Sequence, residues 1–476
     1  MGGRLLNTMR SLYSQTSFRL RHNGKVSDSV NESIGVAQGG SASGNLFRKF
    51  LLDAKNYLND RFGVVLDEFT LIAYLLWADD MVKFSNSVAG MQQLLDCLLE
   101  FCGENQMVVN EVKTKCMVFG SKETPILKFN GVPIEVVSSY KYLGNLVSPI
   151  KRPIADIFQL NHQYLCNQAR KAVYAMNNRV RNASPIPPKL HIKLFNSLVK
   201  QILTYGSDVW GVCNNATKSI DRFHRAFLKH TLGIKGSTSN AVVYGEYGVY
   251  PLHLELMANC FKYFYRLNQM NNNKLTKKVY NELSRLDSLS FPNWVTKVKE
   301  EARKLDINLL NEVNAAKFKL DVMQKLKIFF LISWHAEIME QPKLRCYRAF
   351  KNEFKLEKYL SCITITKHRN ALSKLRCSSH HLAIETGRWH TNPLPPARRV
   401  CSSCRVMEDE VHFIVDCRIN RKERATLCNS LFKHLGLDFP TFRINLFRNL
   451  MCSENVEVLK AFGRFAHTSF QRRDKQ

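Results

Sequence analysis

An unbroken apolar run, Leu71–Trp77, leads into two adjacent acids, Asp79-Asp80, and then into an alternating stretch, Met81–Ser85. Few folds accommodate that order. A short apolar run bounded by turn signals fits a strand buried on both faces. Beyond the acids, Val82 and Phe84 fall on one face while Met81, Lys83 and Ser85 fall on the other, the period of a strand. Neighbouring side chains on a strand point to opposite faces, so two adjacent carboxylates serve one site only at a turn. The acid pair is therefore predicted where a hairpin reverses. Two carboxylates this close favour a counter-cation, and hard oxygen ligands suit Mg²⁺. Two-metal phosphoryl or nucleotidyl transfer uses such a cluster to clamp the attacking and leaving oxygens. A solvated acidic turn is the plain alternative.

The flanking segments continue an α/β pattern. Phe47, Phe50, Leu51, Ala54 and Leu58 predict one helix face over 46–58. Asn86 or Ser87 is placed to cap a second helix, with Met91, Leu94, Leu95, Leu98 and Phe101 on one face and Gly103 closing it. Cys116–Phe119 predicts a further strand. Upstream, the loop Gly35–Gly44 precedes a helix, the arrangement in which backbone approaches a ligand closely and a helix N-terminus attracts phosphate. Gln38 adds a neutral donor and acceptor there. Lys113, in Asn110–Lys115, is placed to neutralise a polyphosphate or protonate a leaving group. Tyr140-Lys141-Tyr142-Leu143-Gly144 alternates aromatic and basic residues before a turn glycine, a pattern suited to a nucleic-acid strand.

Charge selects the partner class. The 476 residues carry a net +29, which favours a polyanion, nucleic acid or an anionic membrane surface. Residues 151–235 hold 14 Lys+Arg against 3 acids, and residues 341–400 hold 13 against 3. No apolar run approaches the roughly 20 residues of a spanning helix. With 14 scattered cysteines and no signal-like start, the chain reads as intracellular with reduced thiols, its nuclear or cytoplasmic address open. Lone cysteines such as Cys97, Cys102 and Cys116 read as buried apolar residues, as do the lone histidines His224, His230, His380 and His381. Trp210 and Trp389 read as packing anchors.

Four residues stand apart. Cys401-x2-Cys404-x7-His412-x4-Cys417 offers three thiols and one imidazole, the donor set of a closed tetrahedral Zn²⁺ site. Zinc would fold this short segment and present Arg398, Arg399, Arg418, Arg421 and Lys422 to nucleic acid.

Taken in order, these segments resemble the reverse transcriptase of non-LTR, LINE-type retrotransposons. GVAQGGSASGNLF resembles the family's template- and nucleotide-contacting loop, LLWADDMVKFS its catalytic hairpin, VNEVKTKCMVFG its lysine-bearing motif, and YKYLG its primer-grip turn. LTYGSDVWG and the stretch Arg222–Leu252 resemble the helical thumb downstream, and the terminal Cys-Cys-His-Cys segment resembles one that closes many LINE proteins. The resemblance implies an RNA-directed DNA polymerase using Mg²⁺, with an RNA template and DNA primer as partners. Asp79 and Asp80 would be metal ligands and Lys113 a proton donor. Gln38, Gly39, Ser43, Tyr140 and Lys141 would contact nucleotide or template. The implied fold is α+β or α/β: a partial palm over 1–147, a mostly helical basic thumb over 148–270, a helical spacer over 271–340, and a basic C-terminal region with a zinc-knuckle-like segment over 341–476. The family's first catalytic Asp lies on a palm strand upstream of the glycine loop. Within 1–34 the acids are Asp28 and Glu32, both beside that loop. The expectation is a chain beginning inside the palm and inactive alone. The rival expectation is a non-catalytic, zinc-containing nucleic-acid-binding protein.

Overall fold

The computed structural model describes all residues except 1, 2, 15, 32–34, 37–39, 55–59, 122, 150–157, 181–185, 311–313, 390, 436–444 and 476. The chain divides into two compact units, Met1–Ser138 and Ser139–Gln476.

The first unit mixes helices with two-stranded ribbons. Its longest described helix is Val88–Glu104, and Ser87 caps it by accepting a hydrogen bond from the Gly90 N–H at 3.1 Å. Leu94, Leu95 and Phe101 are buried along its inner face, as their spacing predicts. Gly103 does not close it: the helix runs on to Glu104 and Asn105 is the C-cap. The predicted helix over 46–58 is shorter, Ser43–Phe50 followed by a 3₁₀ turn at Leu51–Asp53. Of Cys116–Phe119, only Cys116 lies in a strand, Lys115–Cys116, which pairs in parallel with Glu135–Val136.

The expected strand buried on both faces is corrected. It is two strands, Thr70–Ile72 and Tyr74–Trp77, separated at Ala73 and pairing with different partners. Among the described residues every sheet has two strands, so no central strand exists for layers to cover on both sides. Tyr74 and Met81 pack against Ala54, Phe101 and Cys102, while Leu75 and Trp77 face outward, Trp77 at 66% exposure. The run is apolar throughout, yet one face of it meets solvent.

The second unit is helical, with one described hairpin, Tyr140–Tyr142 with Asn145–Val147. Pro188 opens the helix Pro188–Leu198, where its missing N–H costs nothing. Gly233 (φ +67°) and Gly248 (φ +59°) end the helices Asn214–Leu232 and Asn240–Tyr247 in left-handed geometry. The main core joins Trp210, Phe195, Tyr247, Tyr347, Tyr359, Phe413 and Phe462. Residues 275–340 supply three helices whose Val295, Val298, Phe318, Val322 and Leu326 close a second core on Phe261 and Phe264. No helix among the described residues is long and apolar enough to cross a membrane.

Trp210 is a packing anchor, 1% exposed, its indole N–H donating to the Tyr205 carbonyl at 3.1 Å. Trp389 is not: it is 56% exposed. His224 stacks on Phe195 inside the core, and burial drives its pKa down to about 4. His380 is also buried, whereas His230 and His381 lie at the surface, so position and not residue type decides their setting. Cys102 is buried, but Cys97 and Cys116 are half-buried.

Among the described glycines of this unit the tightest backbone approach is at Gly211, after the short helix Ser207–Trp210. A Cβ there would lie 2.1 Å from the Leu256 carbonyl oxygen and 2.6 Å from that of Ser207. Backbone atoms cannot rotate away. Gly211→Ala is expected to lower the stability of this unit by about 2–3 kcal/mol, read as a shift in its urea midpoint at unchanged slope.

Candidate functional site

In the Tyr74–Trp77/Asp80–Lys83 hairpin, Trp77 pairs with Asp80, Leu76 with Met81, Leu75 with Val82 and Tyr74 with Lys83. The loop is therefore Ala78-Asp79, with Ala78 at φ +53°. Tight hairpins place positive φ at the first loop position to match strand twist, and a non-glycine residue there costs about 1–2 kcal/mol. Asp79 thus lies in the loop and Asp80 begins the returning strand, both exposed. Among the described residues, no His, Cys, Asp or Glu joins these two in a group of three able to hold a metal ion. Two adjacent carboxylates can hold one hard cation, but they do not make the shared cluster that a two-ion centre needs.

Lys113 is exposed in a turn that Asn110 organises: the Lys113 N–H donates to Asn110 Oδ1 at 3.0 Å, just before the strand Lys115–Cys116. Ser43 is buried as the first residue of its helix, its hydroxyl 3.3 Å from that of Tyr13. Gln38 and Gly39 lie outside the described residues.

Tyr140 and Lys141 belong to the second unit. Their hairpin turns through Leu143-Gly144, both at positive φ (+45° and +81°), the conformation that fits strand twist in a two-residue loop. A turn residue and a helical residue hold it: the Tyr205 hydroxyl donates to the Leu143 carbonyl at 2.8 Å, and Asn161 Oδ1 accepts from the Leu146 N–H at 2.8 Å. Lys141 Nζ sits 5.6 Å from the Tyr164 ring centroid, which steadies a long basic side chain. Asn161 escaped sequence reading because nothing marks a buried Asn in an amphipathic helix; Tyr205 lay inside the singled-out LTYGSDVWG.

The Cys/His segment comes together in full. One ligand atom from each of Cys401, Cys404, His412 and Cys417 lies within 4.8 Å of all the others. A tight knuckle places the first two: the Cys401 N–H donates to the Val406 carbonyl at 2.8 Å, and Arg405 takes φ +61°. The helix Glu410–Val415, capped by Asp409 accepting from the His412 N–H at 2.8 Å, places the other two. The Cys417 N–H closes back on the His412 carbonyl at 2.8 Å, and Cys404 Sγ accepts from the Arg418 N–H at 3.3 Å. Cys401 and Cys417 are buried, and His412 Nε2 is buried without a hydrogen-bond partner among the described residues. Burial, and then the crowded Cys401 and Cys404 sulfurs, push the Cys417 thiol up to about 12. An unpartnered imidazole nitrogen beside three converging sulfurs, one of them hard to ionise without a counter-cation, is what a Zn²⁺ ion would resolve, so this donor set fits the metal. Of the five cations expected beside the knuckle, Arg398, Arg418, Arg421 and Lys422 are exposed. Arg399 is not: it is buried, donating to the carbonyls of Leu394 and Ile384 at 2.8 Å, because those carbonyls would otherwise be unsatisfied.

Residues 4–147 match the model of the family described as reverse transcriptase (RNA-dependent DNA polymerase). Residues 4–147 are a reverse-transcriptase region. This reverse-transcriptase region holds the Asp79-Asp80 hairpin, Lys113 and the Tyr140–Gly144 turn. Over 167 residues, 34% of its length, the chain is 26% identical to a putative transposon-derived protein of Caenorhabditis elegans. Over 80 residues, 16% of its length, it is 36% identical to the uncharacterized protein YagM of Escherichia coli. The chain spans 56% of the length of the first relative and 28% of the second.

Proposed function

We propose that this chain is the reverse-transcriptase part of a LINE-type retrotransposon protein, and that as it stands it binds nucleic acid without templated synthesis. The observation carrying the first half is an acid pair at a two-residue hairpin turn inside the region that matches reverse transcriptases. Descent from a mobile element is supported by the transposon-derived relative. In this reading residues 1–147 are a partial palm, 148–270 a basic thumb, 271–340 a helical spacer, and 341–476 a basic region organised by zinc. Asp79 and Asp80 are the metal-binding acids, and Lys113 faces the leaving group. Gln38, Gly39 and Ser43 line the nucleotide and template, while Tyr140 and Lys141 hold the primer strand. The partners are an RNA template and a DNA primer.

The second half rests on the acid count at the hairpin. With two carboxylates and no third among the described residues, the two Mg²⁺ ions of nucleotidyl transfer lack a shared cage, and the clamp on attacking and leaving oxygens is incomplete. Nucleic-acid binding needs only the basic segments and the Cys/His knuckle. Primer extension on an RNA template with Mg²⁺ is expected to give no product above that of Asp79→Ala. Product that Asp79→Ala abolishes would overturn the non-catalytic reading. Binding of an RNA–DNA hybrid is expected to weaken steeply between about 50 and about 200 mM salt and to ignore Asp79→Ala.

A further inference from the structure

The exposed Trp389 is held in place by its surroundings. Lys235 Nζ lies 3.9 Å from the ring centroid, and the His381 ring meets it edge-on at 5.8 Å and 88°. Each neighbour is itself anchored. The Lys235 N–H donates to Ser379 Oγ at 2.9 Å, and the Thr238 and Ser379 hydroxyls are 3.0 Å apart, which staples the loop after the helix Asn214–Leu232 to residues 378–381. The Trp389 N–H donates to the Thr386 carbonyl at 3.0 Å. An indole 56% open to solvent, yet fixed on a rigid base, exposes apolar area that packing does not need.

Its charge setting is one-sided. Lys235 has its pKa lowered, first by burial and then by Lys343 and Lys374, with Glu385 opposing. Lys374 also acts on His381 and on His467, and Lys367 acts on His467, whose ring lies 5.3 Å from that of His368. The acids facing this surface are Glu385, already paired with Lys343 at 3.6 Å and Arg388 at 3.4 Å, and Asp474 near His381. Cations that repel one another around an open aromatic ring match a strand of phosphates carrying an unstacked base. A duplex hides its base faces and offers nothing to the indole. A polyanion without bases would not use the ring.

We infer that Trp389, flanked by Lys235 and His381, is a stacking platform for single-stranded nucleic acid. This deepens the nucleic-acid-binding reading above and rests on it.

The test is fluorescence anisotropy of the full chain with labelled oligo(U) RNA, oligo(dT) DNA and a mixed-sequence duplex. Trp389→Ala is expected to weaken both single strands about five- to 100-fold and to leave the duplex within about twofold. Trp389→Phe should retain most of the single-strand affinity, and Lys374→Ala should lower the salt slope of binding. Comparing the two homopolymers tells whether ribose matters at the platform. Unchanged single-strand binding by a folded Trp389→Ala overturns the platform alone. Failure of the wild-type chain to bind any of the three probes overturns the nucleic-acid reading and the platform with it. If Trp389→Ala loses its thermal transition, Trp389→Phe decides: loss of single-strand binding only in Trp389→Ala must then be reproduced by His381→Ala with Lys235→Ala, and its absence there counts against the platform.

Discussion

Arg376→Ala is expected to destabilise the second unit by about 3–5 kcal/mol, the usual cost of stranding one member of a buried ion pair. Arg376 is 3% exposed and forks onto Glu246, which is fully buried, with Nε to Oε2 at 2.9 Å and an Nη to Oε1 at 3.1 Å. It also meets Glu357 at 2.7 Å, which in turn pairs with buried Lys351, and it donates to the Met451 carbonyl. Phe350 and Tyr359 rings lie 4.6 and 5.2 Å from its guanidinium carbon. One side chain thus ties the helices Asn240–Tyr247 and Thr366–Arg376 to the end of Leu446–Met451. Burial alone would raise the Glu246 pKa, yet Arg376 and then Lys351 hold it below its ordinary 4.5. A depressed folded-state pKa gives stability that is complete above the unfolded value and drains away as pH falls below about 4.5. In Arg376→Ala the dominant opposing charge is gone, so burial prevails and the sign reverses: Glu246 takes up a proton and the variant gains stability on acidification towards about pH 5. Urea titrations at about pH 7 and 5, followed by the fluorescence of buried Trp210 and Trp334, test both parts. A variant unfolding like wild type at neutral pH, or failing to gain stability relative to wild type between about pH 7 and 5, would sink the account.

What could be read from the sequence was what local chemistry decides. The Asp79-Asp80 turn, the Ser87 cap with the Leu94, Leu95 and Phe101 face, and the four residues of the Cys/His segment all follow from spacing between near neighbours in the chain, and the structure forms each of them. What depended on distant chain was not legible. Leu71–Trp77 reads as doubly buried only if strands lie on both sides, and no sequence pattern reports that each described ribbon stops at two. Arg399 reads as one more surface cation because its acceptors, Leu394 and Ile384 carbonyls, carry no residue-type signal. Trp389 looked like Trp210 for the same reason: an indole at the surface and one in the core have the same letter. The network around Arg376 joins residues 246, 357 and 376, whose acids and bases look like ordinary surface charges when read along the chain.

Zinc removal should have the second large effect, and the packing of the knuckle decides how far it spreads. The helix Glu410–Val415, which carries His412, also sends Phe413 and Ile414 into the main core, both at most 1% exposed, with Phe413 stacked on Phe470 at 4.8 Å. Glu408, just before that helix, is fixed by Arg473 at 2.6 and 2.7 Å. A structural zinc contributes on the order of 10 kcal/mol of apparent binding energy to the segment it folds. The short knuckle is closed by a bridge between Val400 and Met407 and a few backbone hydrogen bonds, which together contribute far less than that. Metal analysis of chain purified without chelator is therefore expected to give one zinc per chain, and none in Cys401→Ser with Cys417→Ser. Since thiols must lose protons to bind, loading should fall as pH is lowered. The apo chain should exchange its amides rapidly over 400–417 while Thr366–Arg376 and Val456–Arg473, which pack directly on each other, keep most of their protection. Zinc-free chain with full protection over 400–417 would show that the four residues meet for packing and not for metal. Loss of protection throughout 341–476 would instead show that Phe413 carries the metal's contribution into the whole core.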